Sequence, residues 1–307
     1  MWGMRRELEA QQSIQDLIAR DEPLSGTLER ICHLLDELIP NALSTVMLFD
    51  PKTEALCFAA GNLPTAYQEA MQALPIGPDM GSCGRAAFLA QLVVSEDVRY
   101  DGFWANHLNL AEQYGLHACW TYPVLSKNRA LLGTFATIYR VPGPPSRREI
   151  DLMSRAVGLV ALAIERHEAR QYHRETEQRY RSLFVQHPDG VFSLDLNACF
   201  EDANPAGLKL MGYAKEQILG QHYSYFIVSE DLPLADKAFD RAAQGKQQHY
   251  EVKAIRADDS ACCLAITNLP IIVSSKVVGV YGIARDLSQR IVTRPVKESL
   301  VNSSLSG

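Results

Sequence analysis

Thiols are the side chains with the most reactive chemistry to offer in this sequence: there are seven, Cys32, Cys57, Cys83, Cys119, Cys199, Cys262 and Cys263. No two have the Cys-x-x-Cys spacing that wraps a zinc ion, and an odd count does not suit a closed disulfide framework. The expectation is reduced thiols, largely buried as small apolar side chains. Charge narrows the field further. Of 307 residues, 21% are charged, with a formal net charge of -6, whereas nucleic-acid binders usually present a net basic face. Nucleic acid is therefore not expected as a direct partner.

Any site must be held by elements that the hydrophobic pattern reveals. Leu24, Leu28, Ile31, Leu34, Leu35 and Leu38 recur at three and four residues and define a helix that Pro40-Asn41 stops. An earlier amphipathic helix is expected over 7–20, presenting Leu8, Ile14, Leu17 and Ile18 to the domain or to a second chain. Segments 44–50 and 55–59 form a hairpin around Asp50-Pro51-Lys52-Thr53, and further strands fall at 93–95, 118–125 and 132–139. Ser146 with Glu149 is a capping box that opens a closing helix at Arg147. The charged, Gly- and Pro-free stretch 165–181 continues that helix outward as a polar connector. Beyond it lie a hairpin at 190–202, short helices, a longer helix over 232–244, and strands at 249–256, 261–272 and 277–286.

The fold class is thus α+β, two domains that each carry a mostly antiparallel sheet flanked by helices, joined by a helical linker. The expected divisions are an N-terminal helix at 1–22, a first domain at 23–165, a linker at 166–182, a second domain at 183–290 and a disordered tail at 291–307. No apolar run is long enough to span a bilayer: 156–164 stops short, and 269–284 is broken by Ser274, Ser275 and Lys276. The N-terminal segment has acidic residues where a signal peptide has its apolar core. A soluble, cytoplasmic chain without membrane insertion is expected.

Two families emerge from ordered motifs. Gly81-Ser82-Cys83-Gly84 running into Arg85-Ala86-Ala87-Phe88, then Gly115-Leu116-His117-Ala118-Cys119-Trp120 with Pro123, then Leu132-Gly133-Thr134-Phe135, resemble a GAF domain. His187-Pro188-Asp189-Gly190, Asn204-Pro205-Ala206, Gly212-Tyr213, Ile218-Leu219-Gly220 and Gly282-Ile283-Ala284-Arg285-Asp286-Leu287-Ser288 resemble a PAS domain. The resemblance implies a sensor, and GAF-pocket ligand contacts at Cys83, Trp104, His107, Cys119 and Trp120. It also makes Asp286 a candidate for coupling the PAS sheet to a helix beyond it.

Family chemistries that need particular residues are not matched. A bilin-binding GAF domain needs a thiol immediately before His107, where Asn106 stands. Flavin adduct chemistry needs a cysteine where the sequence reads Asn204-Pro205-Ala206, and an axial haem histidine is missing from 232–244. His167-Glu168-Ala169-Arg170 is similar to the start of a histidine-kinase phosphoacceptor box but lacks its Thr-Pro. The reading is a non-enzymatic input module with no catalytic residue, metal or predicted cofactor. It senses a small molecule or redox state and relays it through helices, in a homodimer, to a partner or output domain. The alternatives are the sensory part of a histidine kinase or of a cyclic-di-GMP cyclase or phosphodiesterase, and a GAF-type free methionine-(R)-sulfoxide reductase. For the reductase Cys83 is suitably placed, but the loop from 98 to 117 offers no attacking thiol.

Overall fold

The computed structural model describes residues 12, 14, 16 and 22–287, so most of the expected 7–20 helix and all of the 291–307 tail lie outside the described residues. Two compact units emerge, residues 1–173 and 174–307. Both are α+β with antiparallel sheets, as the hydrophobic pattern requires.

In the first unit, helix α1 (Leu24–Leu38) precedes the hairpin β1 (Ala42–Asp50) and β2 (Ala55–Gly61). Asn41 turns the chain between helix and sheet with φ of 62°, a value asparagine tolerates better than most residues. Helix α2 (Thr65–Ala70), β3 (Leu74–Pro75), α3 (Gly81–Leu89) and β4 (Val93–Ser95) follow. A 3-10 turn over Gly102–Trp104 leads to α4 (Leu108–Gln113), then β5 (Ala118–Leu125) and β6 (Leu131–Tyr139). The sheet order is β3-β2-β1-β6-β5-β4. Gly133 sits where a Cβ would lie 2.1 Å from the Met47 carbonyl oxygen, so the close contact of β6 with β1 admits no side chain there.

Alternation along the strands divides this unit into two cores. Val46, Trp120, Val124 and Phe135 pack with Leu28, Ile31 and Leu35 of α1 and with Met153, Val160 and Ile164 from the closing helix α5 (Arg147–Gln186). Ile14 is buried in the same cluster, so this member of the expected dimer seam is already covered by its own unit. Met47, Cys119, Ala136 and Ile138 face the other way, towards Tyr67, Cys83 and Trp104. The capping box opens α5 through both of its bonds: Ser146 N donates to Glu149 Oε2 at 2.7 Å and Glu149 N to Ser146 Oγ at 3.3 Å. The helix runs unbroken for 40 residues and supplies residues to both units.

The second unit has β7 (Gly190–Leu194), β8 (Phe200–Ala203), α6 (Pro205–Met211), α7 (Lys215–Ile218) and a 3-10 turn at Tyr223–Phe226. Helix α8 (Leu232–Ala243) and strands β9 (Gln248–Ile255), β10 (Ala261–Val273) and β11 (Lys276–Asp286) complete it, with sheet order β8-β7-β11-β10-β9. Ser274 and Ser275 form a two-residue hairpin loop with φ of 48° and 63°, the left-handed pair whose twist matches that of the flanking strands. The core on one face gathers Phe192, Met211, Ile218, Phe226, Phe239, Leu264 and Val280.

Candidate functional site

Four of the residues singled out in the first domain converge on one recess. Cys83, Trp104, His107 and Cys119, with Met47 and Tyr67, line a cavity of about 20 Å³ between the sheet and α3. Cys83 is the third residue of α3, within the turn whose N–H groups and dipole favour negative charge. Strand alternation places Cys119 and Thr121 on the cavity face of β5. Thr121 Oγ1 stands 3.7 Å from Cys83 Sγ and 3.6 Å from Cys119 Sγ. Trp104 Nε1 donates to Ser82 Oγ at 3.0 Å, and Ser82 Oγ reaches the Cys119 carbonyl at 3.5 Å, which fixes the tryptophan across the mouth of α3.

The thiols are electrostatically unequal. A hydrogen bond from Cys119 is the main influence holding the Cys83 thiol below its ordinary pKa, against the burial that would raise it. Cys119 is pushed well up by that same bond and by burial. Burial lowers the His107 pKa, and its Nε2 is buried with no hydrogen-bond partner among the described residues. The imidazole is therefore neutral at pH 7.

Trp120 does not join this recess. It sits between Cys119 and Thr121 on β5, so the pleat turns it to the opposite side, where it packs on Tyr139 with ring centroids 4.1 Å apart. Its position under α1 and α5 is that of a core aromatic.

The second unit holds a larger cavity, none of whose lining residues was singled out as a site from the sequence. About 70 Å³ is enclosed by an aromatic and aliphatic wall that includes Phe192, Phe200, Phe226 and Phe239. Its polar feature is Asn268, only 4% exposed, whose Nδ2 donates to Tyr250 Oη at 3.2 Å. Burial raises the Tyr250 pKa to about 12, so the phenol is neutral and keeps its proton available to a guest. Tyr223, also in the wall, spends its hydroxyl on Asp236 Oδ1 at 2.5 Å. The signal that could have found the site is the phase of β10: Leu264, Ile266 and Asn268 share one face, and an asparagine at a core-facing position of an apolar strand requires a partner.

Asp286 closes β11 in an ion pair with Arg256, Nη2 to Oδ2 at 2.8 Å, while Arg256 Nε also donates to the Leu210 carbonyl at 3.0 Å. Next to it Arg285 donates three hydrogen bonds, of 3.0, 3.2 and 2.6 Å, to the Asp189 carboxylate. These bonds fasten the end of the last strand to the residues before β7 and to the end of α6. Among the described residues there is no group of three or more His, Cys, Asp or Glu suited to a metal ion. No described helix is long and apolar enough to cross a membrane.

Comparison with known proteins accords with both architectures. The GAF domain family model matches residues 21–165 and the PAS fold model residues 184–292. A methyl sulfide methyltransferase-associated sensor of Methanosarcina acetivorans is 25% identical over 296 residues, covering 92% of this chain but only 28% of the relative. A PAS domain from Colwellia psychrerythraea is 27% identical, with a TM-score of 0.35, over 38% of this chain and 98% of its own. The PAS domain of an HTR-like protein from Haloarcula marismortui is 21% identical, with a TM-score of 0.34, over 39% and 99%. The chain is a GAF domain followed by a PAS domain.

Proposed function

We propose that this sensory module takes up a small, mostly apolar molecule in the PAS cavity and passes its occupancy on, through the sheet and α5, to an output domain or partner. The observation that carries the reading is the Asn268–Tyr250 pair, a hydrogen-bonding couple set in an otherwise apolar chamber. A ligand with one polar group and a compact apolar body satisfies both parts of that wall. The chamber is well below the several hundred Å³ usual for drug-sized ligands, which favours a molecule of a few heavy atoms.

The relay is proposed to leave the sheet at Asp286, held by Arg256, and to involve α5, which contributes to both units. Pairing of two chains along α5 belongs to the same proposal, with exposed Leu162 and Leu183 as apolar contacts. A separately folding GAF unit, a connector near 166–182 and a PAS unit are the divisions proposed for this mechanism. The Methanosarcina relative, by name, is associated with a methyl sulfide methyltransferase, and this chain spans 28% of it, so an output region of a longer protein is the proposed recipient.

Native mass spectrometry of the purified chain, set against its denatured mass, tests the reading. A retained small molecule lost on replacing Asn268 by Leu supports it. Soaking with dimethyl sulfide, phenol and short-chain acids gives the second arm. Failure of every probe to raise the thermal stability of the PAS unit, with no retained mass, removes the proposed function.

A further inference from the structure

We propose that Cys83 and Cys119 are a peroxide-responsive pair, in which a small hydroperoxide oxidises the Cys83 sulfur and Cys119 closes a disulfide on it. The inference concerns the GAF unit alone and is independent of any ligand in the PAS cavity.

Proximity comes first. The sulfurs arrive from different elements, α3 and β5, yet both lie within 3.7 Å of a single hydroxyl oxygen, Thr121 Oγ1. Both are free thiols and both are buried. The surroundings of Cys83 favour a negatively charged sulfur: it stands in the first turn of α3, the positive end of the helix dipole, and Thr121 supplies a hydroxyl. Thr134 adds a second, independent sign. It is 0% exposed, lies on the same sheet face as Ala136 and Ile138, and its Oγ1 has no hydrogen-bond partner of ordinary geometry among the described residues. Thr134 is among the hydroxyl groups that lower the Cys83 pKa, and a thiolate there would give it a partner.

Size selects the oxidant. A cavity of about 20 Å³ holds one molecule of roughly the size of water, which suits hydrogen peroxide but not a bulky organic ligand. The remaining thiols lack this combination: Cys32 is pushed up strongly by burial and by Asp36, and Cys262 is raised by burial.

The steps balance. The Cys83 thiolate attacks one peroxide oxygen, an S–O bond forms as the O–O bond breaks, and the departing hydroxide takes a proton and leaves as water. Cys119 sulfur then attacks the Cys83 sulfenic acid. An S–S bond replaces the S–O bond, and the expelled hydroxide takes the Cys119 proton to give a second water. In sum, two thiols and one hydrogen peroxide yield one disulfide and two waters.

The test uses the full chain, reduced and desalted, and exposed to stoichiometric hydrogen peroxide. Differential alkylation before and after reduction, with mass mapping, identifies the linked cysteines. The expected result is loss of both Cys83 and Cys119 from the first labelling, a Cys83–Cys119 linked peptide in excess over any other pair, and recovery of both thiols with dithiothreitol. In Cys119→Ala, dimedone should trap Cys83 as the sulfenic acid. The mapping of the unaltered chain decides alone should that variant fail to fold. Retention of both thiols while others oxidise would overturn the proposal, as would Cys83 sulfinic acid beside an unchanged Cys119. Linkage driven by free methionine-(R)-sulfoxide but not by peroxide would also overturn it, in favour of the reductase. None of these outcomes bears on whether the PAS cavity retains a ligand, so the two readings fail separately.

Discussion

The hydroxyls of Tyr180, in the final turns of α5, and Tyr281, midway along β11, lie 2.5 Å apart. Tyr281 alternates with the core residues Val280 and Ala284 and with cavity-lining Gly282, so it stands on the side of the sheet away from the cavity. Tyr180 also stacks on Phe184, with centroids 6.2 Å apart, which makes a short aromatic seam within the second unit. This bond is a point at which movement of β11 would be felt by the helix. Replacing Tyr281 by Phe removes the bond and keeps the ring, and should cost about 0.5–1.5 kcal/mol at most, towards the low end because Tyr180 is half exposed. Amide exchange should accelerate across residues 178–186 while the strands keep their protection. Equal exchange in the two proteins would show that the helix end is held by other contacts.

Asn204 holds together three pieces of the PAS unit and should be its most sensitive polar residue. It is fully buried at the N-cap of α6, with Oδ1 accepting from Gly207 N at 2.7 Å and Val191 N at 2.9 Å. Its Nδ2 donates to the Phe184 carbonyl at 3.0 Å and to that of Asp189 at 3.1 Å. Alanine would strand buried N–H and C=O groups, at about 1–3 kcal/mol for each that water cannot reach, besides the lost cap. Asn204→Ala should therefore lower the PAS unit's denaturation midpoint by several kcal/mol equivalent. Aspartate should not rescue it, since a carboxylate would face two carbonyls. Preserved stability in either variant would mean that the unit opens to water here at little cost.

How much of this was legible depends on whether a residue's role is local. The Ser146–Glu149 cap, the turn at Ser274-Ser275 and the breaks at Pro40-Asn41 lie within a few residues of sequence, and local chemistry governs them. Cys83, Trp104, His107 and Cys119 were named from motif strings, and the sheet brings them to one recess. Trp120 came from the same string, but the pleat separates consecutive residues, so a motif read as a row cannot say which face each occupies. No contact residue of the PAS cavity was named because its wall has the composition of a core. Asn268 alone marks it, and only once the phase of β10 is fixed. The partners of Asp286 and Asn268 are Arg256 and Tyr250, and pairings across a sheet are set by strand register that the sequence does not spell out.

A pH dependence should arise at Asp189. The hydrogen bonds from Arg285 hold its carboxyl below the usual carboxylate range, opposed by modest desolvation. A pKa lowered in the folded state contributes stability above the unfolded value, about 3.9, and loses it as pH falls through the folded value. Arg285 is 58% exposed, so solvent screens the pair and the contribution is small. Asp189→Asn should unfold at slightly lower denaturant than the unaltered chain at pH 7 and in low salt. The difference should shrink below pH 4 and in high salt. A difference that persists unchanged at pH 2.5 would assign the effect to packing rather than to charge.

The PAS cavity can be narrowed without disturbing its frame. Gly282 lines it, and a Cβ built there would meet Asn268 Oδ1 and Leu194 Cδ1, each at 3.6 Å, which is ordinary van der Waals contact. Its φ is not in the left-handed region, so alanine brings no backbone strain. Gly282→Ala should leave the PAS unit as stable as before or firmer by about 0.4–1 kcal/mol, because alanine reduces the freedom of the unfolded chain. The added methyl takes up part of a chamber of only about 70 Å³ and stands next to the amide that a ligand would address. Retained mass in native spectra should therefore vanish, and affinity for any probe that binds the unaltered chain should fall at least about tenfold, equivalent to 1.4 kcal/mol. Asn268→Leu separates the contributions: it removes the polar contact and keeps an apolar wall, so a purely apolar probe should bind it still while one with a hydroxyl or carboxyl group should not. Unchanged binding in Gly282→Ala, with its stability intact, would place the ligand outside this chamber.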